Sequence, residues 1–323
     1  MSHNVLVTGA AGYIGGSLIA DILSRTDETL KVVNIFAAAR NQDQVEKISK
    51  LERVQAFQVD LQDKAAVEKA IDEYEILQSS VASMFTAEGG WPHGKVKDTE
   101  PLIERQRELG FDNPVRKTNI VLADEGKAQD VETFNIPIPQ TYGRGTGECR
   151  KLSVNIPALV RTSIKLKTVY KFDQNSTPGG VHISDLTNLY VLILNKILKQ
   201  EPIAVGNDGY FFAIAHSFSW WNVMNKIAER LHARGLVNEP TPKTWPSYDM
   251  AADCLGFPRQ YIVPMTMSNG GPAPENGPQV GWKPKWNNEQ QLLDIIDQEI
   301  RDVQELDTVK MGLFDSLISE KTQ

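Results

Sequence analysis

Three glycines spaced three apart, Gly9, Gly12 and Gly15, separate a short apolar run from a longer one of different period. The run Asn4-Val5-Leu6-Val7-Thr8 ends at Gly9 and reads as a buried strand, whereas Ile14, Leu18, Ile19, Ile22 and Leu23 fall at helical spacing. A strand that turns through glycines into a helix leaves few folds open. Gly9 permits the tight turn, Gly12 lets backbone N–H groups approach a pyrophosphate, and Gly15 lets helix and strand pack closely. The helix N-terminus adds partial positive charge. Thr8, Gly9, Ala11, Gly12, Tyr13, Ile14 and Gly15 are therefore the expected cradle of a dinucleotide.

A glycine-rich structural turn is the competing reading, and the next elements weigh against it. Val32 to Ala39 and Val54 to Val59 read as further strands, the second ending at Asp60-Leu61 where a dinucleotide site needs it. Lys64 to Tyr74 reads as a helix and Ile76-Leu77 as the following strand. Strand alternating with helix implies parallel pairing with right-handed crossovers. The expected fold is α/β, a Rossmann-type doubly wound parallel sheet with a smaller C-terminal substrate lobe. The dinucleotide domain spans residues 1–200, with an irregular excursion over 87–114. The lobe covers mainly 201–310 and ends in a helix from Glu289 to Leu306, leaving 311–323 as a tail.

Cofactor choice is read at the end of the second strand, where binders of NAD usually place an acid for the ribose 2′-hydroxyl. Here the chain reads Ala37-Ala38-Ala39-Arg40-Asn41. Arg40 suits a 2′-phosphate through its planar fork, so NADP(H) is expected over NAD(H); a solvated surface arginine is the other reading. A net charge of -7 offers no basic face to nucleic acid or an anionic membrane. No apolar run approaches spanning length, and Cys149 and Cys254 cannot build a disulfide framework. The expectation is a cytoplasmic protein with a small-molecule substrate. His3, His93, His182, His216 and His232 have no metal-ligand spacing, so no metal site is expected.

The Thr8 to Gly15 signature, Asp60-Leu61, Tyr142-Gly143-Arg144-Gly145 after a strand, and Val181-His182-Ile183-Ser184-Asp185-Leu186 before a helix resemble the extended short-chain dehydrogenase/reductase superfamily. Within it, Gly281-Trp282-Lys283-Pro284-Lys285 is similar to an element of the NmrA-like NAD(P)-binding proteins of fungi. The resemblance implies that Asp60-Leu61 borders the adenine and that Pro137 and Pro139 line the nicotinamide, unless they only stop the strand. It also implies a catalytic tyrosine with a lysine four residues later, the lysine lowering the tyrosine pKa for proton exchange at a carbonyl. None of the eight tyrosines has that lysine; where the pair would fall the chain reads Pro114-Val115-Arg116-Lys117-Thr118-Asn119. There is a second departure. Ser79-Ser80-Val81-Ala82-Ser83 resembles the serine motif of the family's fifth strand, yet it follows directly on the helix that should precede the fourth. Against the resemblance a strand and a helix are missing between Glu75 and Gln78: either the sheet lacks an inner element or the gene product is incomplete.

Ser80 is the remaining candidate to hydrogen-bond a substrate carbonyl; a slip of one residue gives the role to Ser79, and a serine satisfied by nearby backbone is the alternative. His182 stands at a strand-to-helix junction, open to catalysis or to a structural bond. Tyr142 and Trp91 are candidate pocket residues, with packed aromatics the bland reading. Two functions follow. One is an NADP(H)-dependent oxidoreductase, or a related isomerase, with a medium-sized organic substrate. The other is a non-catalytic NADP(H) sensor of the NmrA type that signals to a protein partner. An enzyme needs a concave pocket facing the nicotinamide, and a sensor does not.

Overall fold

The computed structural model describes residues 3–60 and 76–306. β1 (His3–Val7), β2 (Val33–Ala39) and β3 (Val54–Gln58) form a parallel sheet in that order. Its crossovers hold α1 (Tyr13–Ser24), a short α2 (Glu28–Lys31) and α3 (Gln42–Ile48). β2 buries Val33, Ile35, Ala37 and Ala39 in one core with Ile19 and Ile22 of α1 and Ile48 of α3. That is why the strand carries no charge before Arg40. Leu61, the helix expected over Lys64 to Tyr74 and the tail at 311–323 lie outside the described residues.

β4 (Ile76–Val81) pairs in parallel with β5 (Thr133–Ile138), Leu77 opposite Phe134 and Ser80 opposite Pro137. The strand expected at Ile76-Leu77 therefore runs on through both serines. Among the described residues no strand pairs with both β1 and β4, so the parallel sheet stands in two pieces. Between β4 and β5 lie α4 (Leu102–Glu108) and α5 (Pro114–Ala128), the latter capped by Asn113, which accepts from the N–H groups of Val115 and Arg116. The excursion is not loose: Trp91, Val96, Leu102 and Ile103 are buried with Phe85, Tyr210 and Phe212. The buried Asp98 carboxylate accepts from the N–H groups of Phe212, Glu275 and Asn276, tying this segment to the C-terminal lobe.

Next come β6 (Gln140–Tyr142), α6 (Asn155–Leu166), β7 (Tyr170–Lys171), β8 (Gly179–His182), α7 (Ile183–Leu198), β9 (His216–Ser217), α8 (Trp220–Ala233), β10 (Lys243–Thr244), α9 (Tyr248–Leu255) and α10 (Glu289–Leu306). Side chains join the two sheet pieces: Ile14 and Leu18 of α1 and Leu186, Leu189, Tyr190 and Ile193 of α7 pack with Leu77, Phe134 and Ile136. α6, a helix the sequence reading passed over, buries Ile156, Leu159 and Val160 with Val223 and Ile227 of α8, Leu255 of α9 and Ile296 of α10. The core of the lobe thus draws on both sides of residue 200. The lobe's tryptophans are packing groups: Trp245 stacks on Tyr170 at 4.5 Å, and the indole N–H of Trp282 donates to the Asp185 carbonyl oxygen at 2.8 Å. No described helix is long and apolar enough to cross a membrane.

Candidate functional site

The glycine turn has the geometry of a cradle. Gly9 sits at φ +65°, and its carbonyl oxygen accepts from the Gly12 N–H at 2.8 Å. A Cβ on Gly12 would stand 2.9 Å from that oxygen, and one on Gly15 would overlap it. α1 starts at Tyr13 with Gly12 as its cap and no side chain on its first N–H groups. Those groups are what a pyrophosphate takes at a helix N-terminus, so the residues present fit a dinucleotide. Thr8 and Gly9 are exposed, Ala11, Ile14 and Gly15 half-buried. Tyr13 is buried, and its hydroxyl donates to the Gly143 carbonyl oxygen at 2.7 Å. Arg40 and Asp60 lie at the surface, just past β2 and β3. Arg150 stands beside Tyr13 with its Nε unpartnered; burial and the nearby Arg161 lower its pKa.

The resemblance motifs hold this corner together. Gly143, at φ +93°, has the His182 ring where a side chain would go. Its N–H donates to Glu299 of α10 at 2.6 Å, and Arg144 pairs with Asp302 at 2.9 Å. Burial, with Asp302 nearby, pushes the Glu299 carboxyl up to about 7.

A cavity of about 380 Å³ adjoins the turn. Its walls are Tyr13 and Ile14, residues 79–83, 138–141 and 153–155, and parts of the lobe including Met265, Gly270 and Gly271. Pro139 and both serines are among them, and no lining residue is charged. Three expected site residues are placed elsewhere. Trp91 is buried edge-on to Phe85 at 5.1 Å, because the excursion needs its own core. Tyr142 is buried with its hydroxyl 2.7 Å from Nε2 of His216, and burial raises its pKa. His182 is the cap of α7: its Nδ1 accepts from the Ser184 N–H at 3.2 Å and its ring stacks on Trp286 at 4.3 Å. Burial lowers its pKa to about 4, so the ring is neutral and Nδ1 stays an acceptor. Asp185 accepts from the N–H groups of Lys285 and Trp286, which joins the last two resemblance motifs.

The serines differ in their partners. Ser80 Oγ is 2.5 Å from Oδ1 of Asn135, at one end of a buried amide chain. Gln106 Nε2 donates to the Leu102 carbonyl oxygen and to Tyr210, which leaves Gln106 Oε1 to accept from Asn119 Nδ2. Asn119 Oδ1 then accepts from Asn135 Nδ2 at 2.9 Å and from Gln78 Nε2 at 2.8 Å. Asn135 Oδ1 is thereby fixed as an acceptor, and Ser80 must donate to it. Asn119 belongs to the hexapeptide where the tyrosine–lysine pair would fall, so a neutral amide fills that space. Ser79 is exposed and hydrogen-bonds the hydroxyl of buried Tyr190. The sequence reading missed Asn119, Asn135 and Tyr190; their signal was a polar atom inside a buried strand or an apolar helical stripe. Every tyrosine shift resolved among the described residues is upward, with burial the first cause.

Residues 6–102 match the model of the 3-beta hydroxysteroid dehydrogenase/isomerase family. The chain is 21% identical to dTDP-glucose 4,6-dehydratase of Salmonella typhimurium across 98% of each protein. Among solved structures, dTDP-glucose 4,6-dehydratase from Bacillus anthracis, in complex with NAD, superimposes with a TM-score of 0.62 at 12% identity, over 94% of this chain and 97% of that one. UDP-glucuronic acid 4-epimerase from Bacillus cereus gives 0.60 at 12% identity, over 94% and 99%. The fold is that of the extended short-chain dehydrogenases/reductases.

Proposed function

We propose that the protein binds NADP(H) at the Gly9 to Gly15 cradle and acts as an oxidoreductase, or a related isomerase, on a medium-sized organic substrate without a tyrosine–lysine pair. The observation that carries this reading is the cavity that opens beside the helix start and is walled by the strand-end serines. The bound cofactor supplies hydride exchange with a substrate carbonyl carbon. The chain's part is to hold the cofactor on the α1 N–H groups, to offer a serine hydroxyl to the carbonyl oxygen, and to admit water as the proton source. A positioned acid typically gives 10²–10⁴-fold, so turnover is expected to be slow. Thr8, Gly9, Ala11, Gly12, Ile14 and Gly15 are assigned to the cofactor with Arg40, Asp60 and Pro139. The relatives' sugar-nucleotide substrates are not carried over, because no lining residue offers a cation to a diphosphate.

A second reading, an NADP(H) sensor of the NmrA type with a protein partner, is favoured by one observation: the lining lacks any group able to move a proton at neutral pH. Titration of the protein with NADPH and NADH, followed by nucleotide fluorescence, tests the cofactor. NADPH is expected to bind at least tenfold more tightly, and Arg40→Asp to remove the preference. Equal affinities would sink it. Slow NADPH oxidation with any of a set of ketones separates enzyme from sensor.

A further inference from the structure

We propose that Tyr190 is a positioning residue that turns the Ser79 hydroxyl into the hydrogen-bond donor for a substrate carbonyl oxygen. This rests on the oxidoreductase reading above. Side chains alternate along β4, so adjacent serines meet different surroundings. The single proton of Ser80 is committed to Asn135 Oδ1 by an amide chain anchored on the Leu102 carbonyl. Ser80 can accept from a ligand but has nothing left to donate. Ser79 lines the cavity and is exposed to it.

The direction of the Ser79–Tyr190 bond follows from the cost of a buried orphan. Tyr190 is 4% exposed, and its stripe on α7 is otherwise apolar. If Ser79 donated, the phenolic proton would be buried with no acceptor, at about 1–3 kcal/mol. If Tyr190 donates, its proton is satisfied and the Ser79 proton is free toward the cavity, where water or a ligand oxygen accepts it. A hydroxyl that accepts from a phenol is also the better donor. Burial raises the Tyr190 pKa, which keeps the phenol protonated. α7 packs on α1, and Tyr190 reaches β4 directly.

The probe is carbonyl-¹³C cyclohexanone, observed by NMR with the full chain, with and without NADP⁺. A donor to the oxygen moves the carbonyl resonance downfield. The wild type and Ser80→Ala are expected to shift it alike, Tyr190→Phe to reduce the shift, and Ser79→Ala to remove it. With a ketone that turns over, Ser79→Ala should lower kcat about 10²-fold, as loss of one oxyanion donor does, and Tyr190→Phe about tenfold with KM little changed. Circular dichroism confirms that each variant folds. No shift with the wild type, a shift that survives Ser79→Ala, or a Tyr190→Phe spectrum identical to the wild type overturns the assignment. Failure to bind NADPH or NADH defeats the cofactor reading separately, and the cofactor-free spectra still decide the role of Ser79.

Discussion

Ser79 and Ser80 are neighbours on one strand, and the protein treats their surroundings in opposite ways. Around Ser80 every amide is committed: Gln106, Asn119 and Asn135 are buried and bonded in a chain that starts on a backbone carbonyl. Around Ser79 there is one buried phenol, an apolar stripe and an open cavity. The first region is a core that happens to be polar; the second leaves a hydroxyl with a single buried partner beside the cavity. A short polar side chain at a strand end is thus no guide to function. What matters is whether the fold has already used its proton.

The largest expected effect that sharpens this contrast is at Asn119. Asn119→Leu leaves Asn135 Nδ2 and Gln106 Oε1 buried without partners, and at about 1–3 kcal/mol for each orphan the loss should be about 3 kcal/mol in chemical denaturation. A loss under about 1 kcal/mol would mean that water enters and the chain is not closed. Ser80→Ala comes next: it strands only Asn135 Oδ1, for about 1–2 kcal/mol. Ser79→Ala leaves the buried Tyr190 proton without an acceptor, so it too should cost about 1–2 kcal/mol, most of it recovered when Tyr190→Phe is made with it. A Ser79→Ala loss that Tyr190→Phe does not recover would mean that the phenol is not the donor to Ser79. Tyr190→Phe should be the mildest in proportion to its burial. It removes one hydroxyl whose partner can turn to water, so about 0.5 kcal/mol or less is expected. A Tyr190→Phe loss as large as that of Asn119→Leu would place Tyr190 in the closed network instead.

Much of the fold was legible because its causes are local. Glycine φ freedom and the change of hydrophobic period mark β1, the turn and α1. The apolar runs mark β2 and β3, and Glu289–Leu306 stands out by periodicity alone. The shortfall before Ser79 was visible as a count of residues, and among the described residues no strand joins β1 to β4. The absence of a tyrosine–lysine pair was equally plain, since four-residue spacing on a helix is a property of the chain.

Partner choice is not local, and there the sequence was silent or left both readings open. His182 reads as a catalytic candidate until its ring is found capping α7 against Trp286. Trp91 reads as a pocket wall until the excursion closes a core over it. Ser79 bonds a residue 111 positions away, and Ser80 one 55 away. Which serine keeps a free proton depends on amide orientations passed from Leu102 through Gln106, Asn119 and Asn135. Composition and spacing determined that a dinucleotide cradle exists, because backbone conformation follows from neighbouring residues. Only the tertiary structure decided which partner each serine hydroxyl meets at the cavity wall, because a hydrogen bond is settled by what distant segments bring within about 3 Å.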